Sequence, residues 1–257
     1  VAPEIFRKNI NIIHDGISLK ESVGNSGDEP FLMASLLKNV PIAVSENKAE
    51  GAQKLVNEFD TDLIILDDGF QHRKLHRDID VVLINSNEKE KSYKLLPAGQ
   101  LRESLQGLKR ADYIAITKGD INSVPKKVSR FIEEPVITFQ DYKIKKYNFN
   151  ETIDMSTINT SSFFAFCGIG DNEFFINSLK KLKIHVKDFL FFKDHVEYND
   201  SIIKKLTKKI KNKKVITTDK DLVKLPQSFL DSYEVFTLSM SLSFSKTTLD
   251  KIFTSLK

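Results

Sequence analysis

The sequence predicts an α/β protein in which parallel sheets are covered by helices on both faces. Short apolar runs rich in β-branched residues alternate with segments of helical length, which is typical of right-handed βαβ units. The 257 residues suffice for one large or two medium domains. The alternation is interrupted once, around residues 141–158, where polar residues dominate. These observations predict two Rossmann-like α/β/α domains joined by a short β-ribbon linker.

The first predicted domain covers residues 1–141. Its strands are predicted over residues 41–45, 62–66, 79–86, 113–117 and 136–139. Its helices are predicted over residues 31–37, 49–59 and 126–133, with another beginning within residues 101–108.

The linker is predicted over residues 142–158, because residues 143–149 alternate polar and apolar as an exposed ribbon does. The second domain is predicted over residues 159–257. Its strands are expected at 162–167, 189–192, 214–217 and 235–238, and its helices at 172–182, 201–210 and 247–256. Gly168-Ile169-Gly170 lacks the third glycine of a dinucleotide fingerprint, so we interpret it as a tight turn before a helix capped by Asp171 or Asn172.

Composition excludes several classes of protein. The net charge of +4 is small beside 39 basic and 35 acidic residues and does not indicate nucleic-acid binding. The lysine-rich residues 204–214 indicate a solvated helix face, with an anionic membrane surface as the alternative. The single cysteine, Cys167, excludes an internal disulfide framework and fits a buried position in a reducing compartment. No apolar run approaches the ~20 residues that span a bilayer.

Paired carboxylates follow the predicted strand 62–66. Asp67 and Asp68 come at its carboxyl end, where open α/β sheets bind ligands, and Gly69, Gln71 and His72 follow. Adjacent acids at this place suit Mg²⁺ bound to a polyphosphate, which is the Walker-B arrangement. The alternative is a plain strand-to-turn junction, because Asp-Asp-Gly is good turn chemistry.

A second acidic pair precedes the predicted helix 31–37. Pro30 disfavours the α region for the residue before it, so we expect Asp28 and Glu29 on an extended or turn segment. Taken alone, the pair is interpreted as acidic charge complementing the helix dipole.

Seven motifs occur in one order along the chain. They are Gly27-Asp28-Glu29-Pro30, Asp67-Asp68-Gly69-Phe70-Gln71-His72, Leu96-Pro97-Ala98-Gly99-Gln100-Leu101-Arg102-Glu103, Arg110-Ala111-Asp112, Phe166-Cys167-Gly168-Ile169-Gly170, Asp194-His195, and Thr217-Thr218-Asp219-Lys220-Asp221-Leu222-Val223-Lys224-Leu225. From about Gly27 to its end, the chain closely resembles the tetraacyldisaccharide 4'-kinases, the lipid A 4'-kinases of Gram-negative bacteria.

The resemblance implies a P-loop NTPase-type first domain and transfer of the γ-phosphate of ATP to the 4'-hydroxyl of tetraacyldisaccharide 1-phosphate. It implies that Asp28 is the base for the sugar hydroxyl, paired with His195 across a cleft between the domains. Glu29 would then assist Asp67 and Asp68 with Mg²⁺. The acceptor lies in the inner membrane, so the enzyme is expected at its cytoplasmic face. Neither a nucleic acid nor a protein partner is expected.

Several residues keep two interpretations. Gln71 and His72 either line the acceptor cleft or make structural hydrogen bonds. Arg102 either binds phosphate or pairs with Glu103 or a neighbouring acid. His195 taken alone would be a solvated loop residue. Lys48 stands where the family commonly has arginine, and its role stays open. Lys220 is interpreted as structural. For Asp219 and Asp221, metal binding is a minor alternative.

No Gly-rich loop ending in Gly-Lys-Ser/Thr occurs in the sequence, although a P-loop kinase needs one to hold phosphates. In residues 2–8, only Arg7-Lys8 matches the family's corresponding segment. We interpret this as an amino-terminal truncation that makes the chain inactive alone, or as a degenerate homologue. The alternative functions are a non-catalytic binding protein derived from a kinase, and another Mg²⁺-dependent P-loop NTPase.

Overall fold

The computed structural model describes residues 10–147, 153, 158, 161–211 and 214–256. The predicted segment 2–8, the end of the predicted ribbon and most of the polar linker therefore lie outside the described residues. The described strands are β1 Asn11–Asp15, β2 Pro41–Val44, β3 Val81–Asn85, β4 Tyr113–Thr117, β5 Pro135–Lys146, β6 Ser162–Cys167, β7 His185–Phe191, β8 Lys214–Thr218 and β9 Glu234–Phe244.

The described α-helices are α1 Val23–Ser26, α2 Asp28–Leu36, α3 Lys48–Glu58, α4 Lys126–Ser129, α5 Asn172–Lys181, α6 Asp200–Lys209, α7 Asp219–Leu222, α8 Gln227–Ser232 and α9 Lys246–Ser255. Short 3₁₀ helices occur at Glu90–Tyr93, Leu105–Arg110 and Ile121–Ser123.

The chain forms two compact units that are discontinuous in sequence. Unit 1 contains the described residues up to Ile65 and those of Tyr142–Ser239, and unit 2 contains Leu66–Asp141 and the described part of Met240–Lys257. The division after Asp141 coincides with the predicted boundary. The contiguous domains 1–141 and 159–257 differ from these units, because α2 contacts α7 and so ties an early segment to a late one.

Unit 1 is built on four parallel strands in the order β9-β8-β6-β7. Alternate residues of β6 enter two different apolar clusters: Phe163, Ala165 and Cys167 join one, and Phe164 and Phe166 join the other. Both faces of the sheet are therefore covered, as predicted for a parallel sheet between helices. Burial raises the pKa of the Cys167 thiol to about 12, which agrees with an inert core cysteine.

Unit 1 also contains an antiparallel pair that the alternating pattern did not predict. β1 pairs with β2, with Asn11 opposite Val44 and Asp15 opposite Pro41. β2 was predicted as part of a parallel sheet, but its hydrogen-bonding neighbour is β1, which runs the opposite way.

Unit 2 carries the parallel strands β3, β4 and the start of β5 over one apolar cluster. The helix predicted within residues 101–108 is a 3₁₀ helix at Leu105–Arg110, where a Cβ on Gly107 would meet the Glu103 carboxyl carbon at 2.8 Å. The helix predicted over 126–133 ends at Ser129, six residues before Pro135, where β5 starts.

The strand predicted over residues 62–66 is absent from the structure. The described residues contain no ladder partner for this segment, so it is unpaired, with Leu63 46% and Ile65 86% exposed. A strand requires a neighbour for its backbone N–H and C=O groups, and apolar residues alone do not provide one.

The predicted ribbon is the second half of β5. Ile144 is 1% exposed and Tyr147 N–H donates to the Val235 carbonyl at 2.9 Å. The alternating pattern of residues 143–147 therefore belongs to a strand with one covered face rather than to an exposed linker.

Candidate functional site

Asp28 and Glu29 form the first turn of α2, and the expectation of an extended segment was wrong. Gly27 precedes the helix with φ +84°, a conformation that glycine adopts without strain. Pro30 is the third helical residue, where its missing N–H would have no intrahelical partner in any case. The helix therefore begins before the proline. The Asp28 side chain is 13% exposed and that of Glu29 61%.

His195 lies on the loop that follows β7. Phe192 N–H donates to the Cys167 carbonyl at 2.9 Å, which fixes the start of this loop to β6. His195 has φ +56°, and its backbone N–H donates to Asp194 Oδ1 at 3.0 Å. The imidazole is about half exposed. The loop thus holds the ring at the surface of unit 1 through its backbone.

The two residues expected to form a pair are in contact. His195 Nδ1 lies 3.1 Å from Asp28 Oδ2. Both residues belong to unit 1, so the pair lies within one compact unit, although the two residues were assigned to different predicted domains. The packing of α2 on α7 explains why, since it assigns the segment carrying Asp28 to the same compact unit as the His195 loop.

Two lysines complete the surroundings of Asp28. Lys220 Nζ lies 3.1 Å from Glu29 Oε1, 3.7 Å from Asp28 Oδ2 and 3.7 Å from Asp194 Oδ1. Lys224 Nζ lies 3.6 Å from Asp28 Oδ2. Sequence reasoning assigned Lys220 only a structural role and missed Lys224. Their i, i+4 spacing, which puts both side chains on one side of a helical turn, was the available signal.

These cations determine the charge state of the site. Burial of Asp28 acts to raise its pKa, but Lys220, His195 and Lys224 together outweigh it, and the net effect lowers the pKa below its ordinary value. Burial acts to lower the pKa of Lys220, but the bond to Glu29 and the charges of Asp28, Glu29 and Asp194 raise it. Asp28 is therefore an ionised acceptor at neutral pH.

Asp221 is a structural anchor and does not match the metal-binding alternative. Its side chain is fully buried. Tyr198 O–H donates to Oδ1 at 3.0 Å, while Thr218 O–H and Gly168 N–H donate to Oδ2 at 2.7 and 3.0 Å. Burial, together with the Asp221 charge, raises the pKa of Tyr198 far above its ordinary range, so this phenol remains a donor. The carboxylate oxygens are thus occupied by protein donors.

The second acidic pair belongs to unit 2. Asp67 and Asp68 form a turn, and Asp68 adopts φ +49°. Arg102 Nη1 donates to Asp68 Oδ2 at 3.1 Å, with the two side chains 63% and 65% exposed. Two residues predicted to contact substrate or metal are therefore joined by an exposed ion pair, which water screens.

Arg102 does not pair with Glu103, which accepts hydrogen bonds from other residues of unit 2. Arg110 donates to both oxygens of Glu103, at 3.1 and 2.8 Å, and Arg73 donates at 2.6 Å. Gln71 Nε2 lies 3.5 Å from Glu103 Oε1. The bond from Arg110 is the largest of the effects that hold the pKa of Glu103 at about 2.

His72 has a structural hydrogen bond through its backbone. Its carbonyl accepts from Arg77 Nη1 at 2.8 Å, and Arg77 also forms a two-point ion pair with Asp80. The His72 Nε2 atom is buried and has no hydrogen-bond partner in the part of the chain that the structure describes. The imidazole thus retains an unused hydrogen-bonding nitrogen.

Comparison with known proteins identifies the family of this chain. The sequence model of the tetraacyldisaccharide-1-P 4'-kinase family matches residues 10–257. The chain belongs to this family. The tetraacyldisaccharide 4'-kinase of Aquifex aeolicus is 35% identical over 219 residues, which cover 85% of this chain and 66% of the relative. That of Chlorobaculum parvum is 35% identical over 222 residues, covering 83% of this chain and 62% of the relative.

A crystal structure titled as an "apo" form of LpxK from Aquifex aeolicus in complex with ATP is also similar. It superposes with a TM-score of 0.78 and 32% identity, covering 98% of this chain and 76% of that chain. The chain thus spans 62–66% of the length of the two curated relatives named above. No helix among the described residues has the length and apolar character needed to cross a membrane.

Within the described ranges, no group of three or more His, Cys, Asp or Glu side chains is arranged to hold a metal ion. The adjacent Asp67 and Asp68 nevertheless provide hard oxygen donors, and Mg²⁺ is ordinarily held by one or two carboxylates together with phosphate oxygens and water. The donor chemistry fits a metal that arrives with a polyphosphate.

Lys48 is the first residue of α3 and its role stays open.

Proposed function

We propose that the protein to which this chain belongs is an ATP-dependent lipid kinase that phosphorylates the 4'-hydroxyl of tetraacyldisaccharide 1-phosphate. The observation that carries this proposal is the 3.1 Å contact between Asp28 Oδ2 and His195 Nδ1. Membership of the tetraacyldisaccharide-1-P 4'-kinase family supplies the substrate class.

Asp28 is the general base of the proposed reaction. As the acceptor oxygen bonds to the γ-phosphorus, its proton passes to Asp28, and the bond from the γ-phosphorus to the β–γ bridging oxygen breaks to release ADP. A base must lie within hydrogen-bond reach of the proton it removes. The Asp28 carboxylate lies beside the half-exposed His195 ring. The His195 ring, through its contact with the Asp28 carboxylate, would keep that carboxylate oriented.

Mg²⁺, when bound, would neutralise charge on the transferred phosphoryl group. Asp67 and Asp68 would hold it. Arg102, now paired with Asp68, would bind phosphate, and Gln71 and His72 would line the acceptor site.

The acceptor is a membrane lipid, so we place the enzyme at the cytoplasmic face of the inner membrane. The absence of a Gly-Lys-Ser/Thr loop from these 257 residues supports the further proposal that this chain alone is inactive. The same observation favours the second candidate function, a non-catalytic binding protein derived from a kinase.

One experiment separates these functions. The product of the complete gene and the 257-residue chain are each incubated with γ-labelled ATP, Mg²⁺ and tetraacyldisaccharide 1-phosphate. Label should appear in the lipid only with the complete product. Labelled lipid from the 257-residue chain would refute the proposed inactivity. Binding of the lipid without label transfer by either protein would favour the non-catalytic function.

A further inference from the structure

Lys224 is the most buried cation of the site. Its side chain is 8% exposed, and Nζ has no hydrogen-bond partner among the residues that the structure describes. The ammonium lies between two carboxylates, 3.4 Å from Asp221 Oδ1 and 3.6 Å from Asp28 Oδ2, with the Tyr198 ring centroid at 5.7 Å. Removing an ammonium from water is costly unless charge compensates it, and here each neighbouring carboxylate contributes.

The Asp221 side of this arrangement is rigid. The carboxylate is fully buried and accepts from Tyr198, Thr218 and the Gly168 backbone. A carboxylate held by three donors cannot rotate without losing a bond, so it gives Lys224 a fixed position.

The Asp28 side is held less firmly by its other partners. His195 is half exposed, and Lys220 divides its charge among Asp28, Glu29 and Asp194. Of the three cations facing Asp28, Lys224 is the one attached to a buried anchor. Its contact with Asp28 therefore links that carboxylate to the core of unit 1.

We propose that Lys224 is a positioning residue that ties the Asp28 carboxylate to buried Asp221 and thereby keeps Asp28 Oδ2 directed at His195 Nδ1. The positional statement concerns this chain alone. Its consequence for turnover rests on the proposed function.

The positional statement is tested on the 257-residue chain by solving the structures of Lys224→Met and Lys224→Arg. In Lys224→Met we expect the distance from Asp28 Oδ2 to His195 Nδ1 to exceed hydrogen-bond reach, and in Lys224→Arg we expect the contact to remain. Lys146→Met removes a lysine paired with Glu234 and should leave the contact unchanged. An intact contact in Lys224→Met would overturn the proposal, whatever the activity of the complete protein.

A second measurement serves if Lys224→Met does not fold. Asp28→Asn keeps the shape of the side chain and removes its charge. NMR of the lysine ¹⁵Nζ groups should then show a shifted Lys224 signal and an unchanged Lys146 signal. A Lys224 signal that does not respond to Asp28→Asn would show that the two groups are not coupled and would overturn the proposal.

The catalytic consequence is tested on the product of the complete gene. Displacement of a reacting group by about 1 Å costs up to about a hundredfold in rate, so Lys224→Met should lower kcat about tenfold to a hundredfold with the KM for ATP unchanged. Lys224→Arg should retain most of the wild-type kcat. Combining Lys224→Met with Asp28→Asn should lower kcat little below that of Asp28→Asn alone. An undiminished kcat in Lys224→Met would overturn the catalytic role. Inactivity of the wild-type protein would refute the proposed function and leave the structural test decisive.

Discussion

Glu103 is the residue on which an ion-pair network of unit 2 is centred. Its side chain is 22% exposed, and it accepts from Arg110 and Arg73, as well as lying near Gln71. Gln71 is thus engaged in a structural contact, which was one of its two sequence-based interpretations. Arg102 pairs with Asp68 and not with Glu103.

Glu103→Gln should destabilise unit 2 at pH 7 by about 1–2 kcal/mol, because it removes charge-assisted hydrogen bonds at a partly exposed site. The pKa of Glu103 is about 2 in the folded protein against an ordinary 4.5, so its stabilisation is present above pH 4.5 and is lost as the pH falls towards 2. Urea unfolding of wild type and variant from pH 7 to pH 2.5 measures this. Glu133→Gln, at an exposed position, is the control. If the difference in unfolding free energy between wild type and Glu103→Gln did not become smaller on acidification, the stabilising role of the ionised Glu103 would be contradicted.

At the scale of elements, the carboxyl end of β6 and the loop after β7 are in close contact. A Cβ on Gly168 would overlap Val196 Cγ1 and would lie 3.1 Å from Asp221 Oδ1. Val196 packs against the backbone of Gly168. The position of the His195 loop therefore depends on the glycine that follows β6.

Gly168→Ala should destabilise the protein by about 1–3 kcal/mol, since the added methyl must displace the His195 loop or the Asp221 anchor. Gly24→Ala is the matched control, because a Cβ there meets nothing nearer than Ser22 Oγ at 4.0 Å. Thermal and urea unfolding of both variants measure the effect. Equal stability of the two variants would show that the loop accommodates the methyl.

Element prediction succeeded where the physical signal was local. The helix α5 begins at Asn172 with Asp171 as its cap, as expected, and Asp171 Oδ1 accepts from Phe174 N–H at 3.0 Å. The strands β4, β6 and β8 were found within one residue of their predicted ends. β1, α7 and α8 were not predicted, because their pairing and packing depend on residues distant in sequence.

For the molecule as a whole, the sequence pattern predicted the α/β class, and the resemblance to the kinase family implied the contact between Asp28 and His195. The sequence pattern did not predict that both residues share one compact unit, because periodicity does not report which segments pack together. Lys224 was missed for the same reason. Lys224 contacts two carboxylates, Asp221, which is three residues away in sequence, and Asp28, which is 196 residues away.

The central claim is that Asp28 and His195 act as one base, and a double-mutant comparison tests it most directly. Turnover of the complete gene product is measured at saturating ATP and lipid for Asp28→Ala, His195→Ala and the double variant. General-base catalysis contributes about a hundredfold to ten-thousandfold in rate, so Asp28→Ala should lose activity in that range. Residues that act as a unit are strongly non-additive, and the double variant should be within about twofold of Asp28→Ala. Losses that multiply, or near-normal turnover of Asp28→Ala, would contradict the account.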